Sequence, residues 1–135
     1  MRLPRAIVGR PNVKRIRGTV LVVEDDPLHR AVLVSLMEEE GLEAVEAADV
    51  KDALAILGER SYVGLLLADV YLAGWRDRLA LAQTARTHWP RLGIILVSAD
   101  HRCPEAGLPR GAVFLSKPYR PAALVAAVLR LAARG

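Results

Sequence analysis

The chain has 135 residues, which is enough for one domain and leaves little room for a second. Apolar residues make up 53% of the sequence, which excludes an intrinsically disordered chain, and no apolar run is long enough to span a bilayer. The net charge of +4 belongs to the start of the chain, because six of the 19 basic residues and none of the 15 acidic ones lie in residues 1–18.

This first segment is predicted to be a basic, flexible tail over residues 1–17, followed by one domain over residues 18–133. Pro4, Pro11 and Gly18 interrupt regular structure there. A nucleic acid, a membrane surface or an acidic protein could bind such a tail. A solvated tail without a partner is the simpler interpretation, and nucleic acid and membrane partners are not expected.

Cysteine usage bears on the compartment. Cys103 is the single cysteine, so no intramolecular disulfide can form, as in a protein of the reducing cytosol. The N-terminus lacks the apolar core of a secretory signal. We therefore predict a soluble, cytoplasmic protein in which Cys103 is a spectator rather than a reactive thiol.

Short β-rich apolar runs alternate with helical patterns along the chain. The predicted elements, in chain order, are a strand at 19–24, a helix from Pro27 to Gly41 capped by Asp26, a strand at 43–47, a helix capped by Asp49, a strand at 63–68, a helix at 78–89, strands at 93–97 and 112–115, and a helix from Pro121. This alternation predicts an α/β fold: a doubly wound, five-stranded parallel sheet in three layers, with helices on both faces.

Two segments add detail to this pattern. In the first helix, Leu28, Val32 and Leu36 fall on one face. Residues 99–111 are rich in breakers and have few apolar positions, so the helix between the fourth and fifth strands is predicted to be shortened or missing.

Polar side chains lie where four of the predicted strands end. They are Glu24 and Asp25 at the end of the first strand, Asp69 at the end of the third, Ser98 at the end of the fourth and Lys117 shortly after the fifth. The carboxyl ends of parallel strands meet at one edge of the sheet, where ligands bind. Three carboxylates at that edge would repel one another unless a cation lay among them.

The residue types at this edge indicate the chemistry. All of the expected ligands are oxygen atoms, which suits Mg²⁺. An ammonium group and a hydroxyl group beside such a cluster are useful if a phosphoryl group arrives, and a carboxylate can itself be the nucleophile and form an aspartyl phosphate. The sequence therefore predicts a metal-assisted phosphoryl site.

Each residue of this set has a plain structural alternative: a solvated loop, a helix cap, a turn or a surface charge. Those alternatives leave the convergence of the whole set unexplained. His29, His88 and His101 show no metal-ligand spacing and are predicted to be surface residues.

Four motifs carry a resemblance to a known family. The runs LVVEDDP at 21–27, LLLADV at 65–70, VSA at 97–99 and FLSKPYRP at 114–121 resemble those of the receiver (response-regulator) family, including chemotaxis-type single-domain receivers and the receivers of hybrid kinases. The resemblance covers residues 18–133 and implies a flavodoxin-like strand order 2-1-3-4-5.

The resemblance implies a role for each residue at the acidic end of the site. Asp69 matches the phospho-acceptor, Asp25 the acid that binds the metal directly, and Glu24 the acid beside it. Tyr71 matches the position whose backbone carbonyl completes the metal shell. The implied cofactor is Mg²⁺, for which Mn²⁺ can substitute.

The resemblance also implies a switch. Lys117 matches the lysine that contacts the phosphoryl oxygens, and Ser98 the hydroxyl that moves toward the phosphate. Phe114 matches the aromatic residue that turns inward on activation, although a simple core residue on a central strand explains it equally well.

The loop after the acceptor departs from the family pattern. Ala73, Asp77 and Arg78 stand where proline and glycine are usual, so the start of the third helix is left open. Trp75 is interpreted either as an anchor or lid for a partner, or as a partly buried loop residue.

The function expected from the resemblance is that of a stand-alone receiver in a phosphorelay. A histidine kinase or a histidine phosphotransfer protein donates the phosphoryl group, and a downstream protein is the target. The chain is not expected to be an enzyme beyond its own phosphorylation and slow dephosphorylation. The alternatives are a phosphorylation-independent protein-binding module, a nucleic-acid binder led by the tail, and an aspartyl phosphatase, which would need an acid in place of Tyr71.

Overall fold

The structure is a computed structural model that describes residues 19–59, 62–70, 75–98 and 108–134. Within these ranges, no helix has the length and apolar character needed to cross a membrane. The predicted tail at 1–17 lies outside the described residues, and so does Cys103. Most of the segment predicted to hold a shortened helix also lies outside them, and its described end, residues 108–112, contains a turn but no helix.

The sheet has five parallel strands in the order β2-β1-β3-β4-β5, which confirms the predicted topology. The strands are β1 (Thr19–Val23), β2 (Ala44–Ala47), β3 (Val63–Val70), β4 (Gly93–Ser98) and β5 (Val113–Ser116). The described helices are α1 (Pro27–Glu39), α2 (Val50–Glu59), α3 (Trp75–His88) and α4 (Pro121–Arg134).

The core consists of two apolar clusters, one on each face of the sheet. On one face, alternate strand residues such as Leu21, Leu66 and Ile94 pack with α2 and α3. On the other face, their neighbours such as Val22 and Leu67 pack with α1 and α4. Helices cover both faces of the central strands. These strands are therefore apolar at nearly every position and show no alternation of apolar and polar residues.

Helix α1 begins as the sequence predicts but buries a different face. Asp26 caps it by accepting a hydrogen bond from the Leu28 N–H at 3.1 Å. The face that carries Leu28 and Val32 is the outer one, with 75% and 57% of these residues exposed, while Leu33 and Met37 are buried. Apolar residues occur on both faces of this helix, so their spacing alone could not identify the buried face.

Two element boundaries differ from the predicted ones near the site. Strand β3 continues to Val70, so Asp69 lies within a strand rather than after it. Helix α3 begins at Trp75, three residues before the predicted start, so Trp75 is a helical residue and not a loop residue. The segment from Trp75 to Asp77 contains no glycine or proline that would prevent a helix from starting there.

The segment that enters β5 is held by one guanidinium group. Arg86 on α3 donates hydrogen bonds to the backbone carbonyls of Arg110, Pro90 and Leu92 at 2.9, 2.9 and 2.7 Å. Gly111 adopts a φ of 78°, which favours glycine, and completes the turn into β5. These contacts fix where β5 starts, and therefore where the residues after it lie.

The face of α1 can be tested with two neighbouring truncations. We expect Leu33→Ala to lower the free energy of unfolding by about 3 kcal/mol, because it leaves a cavity in the core. Val32→Ala is the matched control and should change it by less than about 0.5 kcal/mol, since that side chain is exposed. Urea unfolding measures both, and equal losses in the two variants would show that the face is wrongly assigned.

Candidate functional site

The parallel register brings the predicted polar residues to one edge of the sheet. Val23, the last residue of β1, pairs with Ala68, so Glu24 and Asp69 follow on adjacent strands. Asp69 pairs with Val97, which places Ser98 one step further along β4. Ser98 pairs with Ser116, the residue before Lys117. Segments that are distant in the sequence therefore meet where the strands end, as predicted.

Two carboxylates at this edge are buried without enough hydrogen bonds. Glu24 and Asp69 are both 0% exposed. Glu24 Oε2 accepts a hydrogen bond from the Asp26 N–H at 2.9 Å. In contrast, Glu24 Oε1 and both carboxylate oxygens of Asp69 accept none from the described residues. A buried acceptor without a partner costs about 1–3 kcal/mol, so these oxygens favour the approach of positive charge.

Lys117 provides one such charge. Its Nζ atom lies 2.9 Å from Asp69 Oδ1, and its side chain is about one fifth exposed. The backbone holds this residue in place, because the Lys117 N–H donates to the Ser98 carbonyl at 2.7 Å. The peptide bond to Pro118 is cis. Ser98 itself is 1% exposed, so the lysine and the hydroxyl-bearing residue are both fixed beside Asp69.

His29 lies on the other side of Asp69, and its predicted place on the surface was wrong. Its Nδ1 atom is 2.9 Å from Glu24 Oε1 and 3.1 Å from Asp69 Oδ2, with 27% of the side chain exposed. The atoms that could hold a metal ion at this edge therefore include a nitrogen beside the expected oxygens. A signal was available in the sequence: the first turn of a helix that directly follows β1 lies at the carboxyl edge of the sheet, and His29 belongs to that turn.

The remaining predicted site residues, Asp25, Tyr71 and Phe114, differ in their burial and in whether the structure describes them. Asp25 is exposed, and its role as a metal ligand stays a prediction. Tyr71 lies outside the described residues. Phe114 is half-buried on β5 and packs against the cluster that faces α2 and α3. Its predicted movement as a switch is therefore a proposal about a residue that already contributes to the core.

The local electrostatics follow from this burial. Burial raises the pKa of Glu24, and the neighbouring Asp69 carboxylate raises it further, while the hydrogen bond from the Asp26 backbone lowers it. Burial also raises the pKa of Tyr119, and the charges of Asp69 and Glu24 act in the same direction. The field of the two carboxylates thus extends to a side chain two residues beyond Lys117, for which the sequence predicted no role.

The donor atoms fit a divalent cation. One ligand atom from each of Glu24, His29 and Asp69 lies within 4.8 Å of the other two. Carboxylate oxygens without hydrogen bonds are available to a metal ion, and two buried acids would repel each other without positive charge between them. The site can therefore hold a metal ion beside a carboxylate whose other oxygen faces an ammonium group.

Comparison with known proteins agrees with this geometry. Residues 20–129 match the response regulator receiver domain, and the chain therefore belongs to that family. Receiver domains are signalling domains of two-component systems, which bind Mg²⁺ in an acidic pocket and interact with histidine kinases or phosphotransfer proteins and with downstream effectors.

Three similar proteins illustrate the match. AruR of Pseudomonas aeruginosa, a transcriptional regulatory protein, is 35% identical over 122 residues, which cover 85% of this chain and 49% of AruR. The receiver domain of NtrX from Brucella abortus superposes with a TM-score of 0.74 at 29% identity and covers 86% of this chain and 99% of that one. TrrA of Thermotoga maritima, solved with Mg²⁺ and BeF, has a TM-score of 0.75 at 25% identity and covers 84% and 98%. The chain spans about half the length of AruR.

The raised pKa of Glu24 predicts a pH dependence of stability in the absence of metal. The folded protein keeps this proton to a higher pH than the unfolded chain does. The stabilising contribution of Glu24 to the free energy of unfolding is therefore fully present below its ordinary pKa. This contribution is lost as the pH rises through the raised pKa of the folded protein. We expect Glu24→Gln to remove this loss and to raise the free energy of unfolding at neutral pH by about 1 kcal/mol in EDTA.

Urea unfolding at a series of pH values in EDTA measures this effect. Glu59→Gln, which changes an exposed acid at the end of α2, is the matched control and should follow the wild type. The electrostatic account of Glu24 would be wrong if the Glu24→Gln protein lost stability with pH as steeply as the wild type.

Proposed function

We propose that this receiver domain accepts a phosphoryl group on Asp69 from the phosphohistidine of a histidine kinase or a histidine phosphotransfer protein. The observation that carries the proposal is the environment of Asp69, which is buried at the carboxyl edge of the sheet with Lys117 Nζ 2.9 Å from one oxygen. The other oxygen lies 3.1 Å from His29 Nδ1, and Glu24 completes a group of three side chains whose ligand atoms lie within 4.8 Å of one another. An acceptor of phosphoryl groups needs this kind of charge neutralisation more than it needs a base.

In the proposed transfer, a carboxylate oxygen of Asp69 attacks the phosphorus atom while the bond to the donor imidazole nitrogen breaks. Lys117 neutralises charge on the phosphoryl oxygens. We propose that Glu24, Asp25, Asp69 and the Tyr71 carbonyl hold Mg²⁺, which supplies further neutralisation of the phosphoryl group when bound. The complex of TrrA with Mg²⁺ and BeF supports the choice of Mg²⁺ by analogy.

We further propose that phosphorylation changes a protein–protein contact through Ser98 and Phe114. Ser98 is buried on β4 one residue beyond the partner of Asp69, and Phe114 lies two residues before Ser116, the partner of Ser98. A hydroxyl group drawn toward a phosphoryl group on Asp69 would change the packing of β4 on β5, and Phe114 is the large side chain that could respond.

The proposed unit is a receiver over residues 18–133, preceded by a basic tail at 1–17. The match to the family over residues 20–129 supports these limits. We place its action in the cytoplasm, in keeping with a sequence that contains one cysteine. Regulation of transcription belongs to AruR as a whole, and the output proposed for this chain is contact with a downstream protein.

The acceptor can be tested by intact mass after incubation with acetyl phosphate and Mg²⁺. We expect a phosphoryl adduct on the wild type and on Asp52→Asn, a control that changes an exposed acid of α2, and no adduct on Asp69→Asn. EDTA should abolish labelling of the wild type. An adduct that persists on Asp69→Asn would remove Asp69 as the acceptor, and a wild type that no donor can label would favour a phosphorylation-independent module.

Lys117 can be tested separately from the metal. We expect Lys117→Ala to bind Mg²⁺ but to be labelled about 100-fold more slowly, because it lacks the positive charge that faces the transferred phosphoryl group. Lys51→Ala, an exposed lysine on α2, is the matched control and should be labelled at the wild-type rate. A time course of labelling by intact mass measures both rates, and equal rates would place Lys117 outside the mechanism.

A further inference from the structure

The imidazole of His29 lies beside two buried carboxylates at once. Its Nδ1 atom is 2.9 Å from Glu24 Oε1 and 3.1 Å from Asp69 Oδ2. Neither oxygen accepts a hydrogen bond of good geometry from any residue in the described part of the chain. The three atoms therefore lie close together without forming hydrogen bonds of good geometry to one another. Ligand atoms around a shared metal ion have the same arrangement.

The two separations match the spacing of adjacent ligands around one octahedral ion. Bonds of about 2.1 Å at right angles place neighbouring donor atoms about 3.0 Å apart, and donors on opposite sides about 4.2 Å apart. The distances from His29 Nδ1, 2.9 and 3.1 Å, are close to the shorter value, and the donor atoms of Glu24, His29 and Asp69 all lie within 4.8 Å of one another.

The turn that carries His29 is fixed relative to Glu24. The neighbouring Arg30 donates one hydrogen bond to the Glu24 carbonyl at 2.7 Å and another to Glu46 on β2 at 2.9 Å. Asp26 caps the same turn, and its N–H binds the Glu24 side chain. The imidazole is thus presented to the carboxylates by a turn that four polar contacts hold in place, which reduces the cost of ordering a ligand.

We propose that His29 is a direct nitrogen ligand of the metal ion in this site, and that the site therefore binds the later divalent transition ions, such as Co²⁺, in preference to Mg²⁺. This inference rests on the proposed function to the extent that Glu24 and Asp69 hold the ion used in phosphoryl transfer. Mg²⁺ favours oxygen ligands and keeps several waters, whereas an imidazole ligand favours the later divalent ions.

A rival account gives His29 the opposite role. The imidazole would act as a positive group that occupies the place of the cation and leaves when an ion enters. Both accounts explain the short distances to Glu24 and Asp69, but only direct ligation leaves the nitrogen bonded to the metal. A magnetic coupling between the bound metal ion and a ¹⁴N nucleus therefore distinguishes the two accounts.

The first measurement is electron spin-echo envelope modulation of Mn²⁺ bound to the whole chain. We expect modulation from a directly coordinated ¹⁴N nucleus in the wild type and its loss in His29→Gln. His88→Gln is the matched control, because His88 is an exposed residue at the far end of α3 whose Nδ1 atom lies 3.0 Å from the Thr84 carbonyl. Circular dichroism should show the same helix content in all three proteins.

The second measurement is competition for the bound Mn²⁺, followed by the signal of free Mn²⁺. We expect His29→Gln to lower the ratio of Co²⁺ competition to Mg²⁺ competition by about tenfold or more, because Co²⁺ gains more from the imidazole than Mg²⁺ does, and any change in Mn²⁺ affinity affects both competitors equally. His88→Gln should match the wild type with both competitors.

Three results would overturn the inference: Mn²⁺ that binds without ¹⁴N modulation, modulation that survives in His29→Gln, or a wild type that binds no Mn²⁺. Labelling of Asp69 in Mg²⁺ is read separately by intact mass. Labelling without ¹⁴N modulation would leave the proposed function standing and remove the nitrogen ligand. Modulation without labelling would leave the metal site standing and remove the phosphoryl chemistry.

Discussion

The carboxylates of Glu24 and Asp69 are buried at the edge of the sheet, and three of their four oxygens accept no hydrogen bond from the described residues. Such a pair opposes folding unless positive charge approaches it. Lys117 approaches one oxygen of Asp69, and His29 approaches the other side together with Glu24. Positive charge must compensate these two buried carboxylates. Both the stability of this edge of the sheet and its proposed chemistry depend on that compensation.

The fold meets this requirement through the order of its strands. Strand β3 lies between β1 and β4, so Asp69 has Glu24 on one side and Ser98 on the other. Strand β5 follows β4, and its end brings Lys117 back across Ser98. An order that placed β1 or β5 further from β3 would separate the acids from each other or from the lysine. The apolar, doubly covered sheet is thus a support that brings polar and charged groups from the ends of four strands to one edge.

The parallel α/β architecture and the grouping of Glu24, Asp69, Ser98 and Lys117 could be predicted because apolar runs, breakers and motif residues are all local features of the sequence. The strand order followed only from the resemblance of the motifs to the receiver family. The buried face of α1 could not be predicted, since Leu28 and Val32 match the helical period as well as Leu33 and Met37 do, and only packing against the sheet decides between them. His29 was missed for a related reason: a single histidine has no ligand spacing, and its distance from Asp69 depends on where the first turn of α1 lies over the sheet.

The account is tested most directly by locating the phosphoryl group chemically. Borohydride reduces an aspartyl phosphate to homoserine, and peptide mass spectrometry of the reduced protein identifies the residue that was converted. After phosphorylation in Mg²⁺, the account predicts homoserine at position 69 and at no other aspartate. Homoserine at Asp25 or elsewhere, or none in a protein that carries a phosphoryl adduct, would contradict the claim that the buried Asp69 carboxylate is the acceptor.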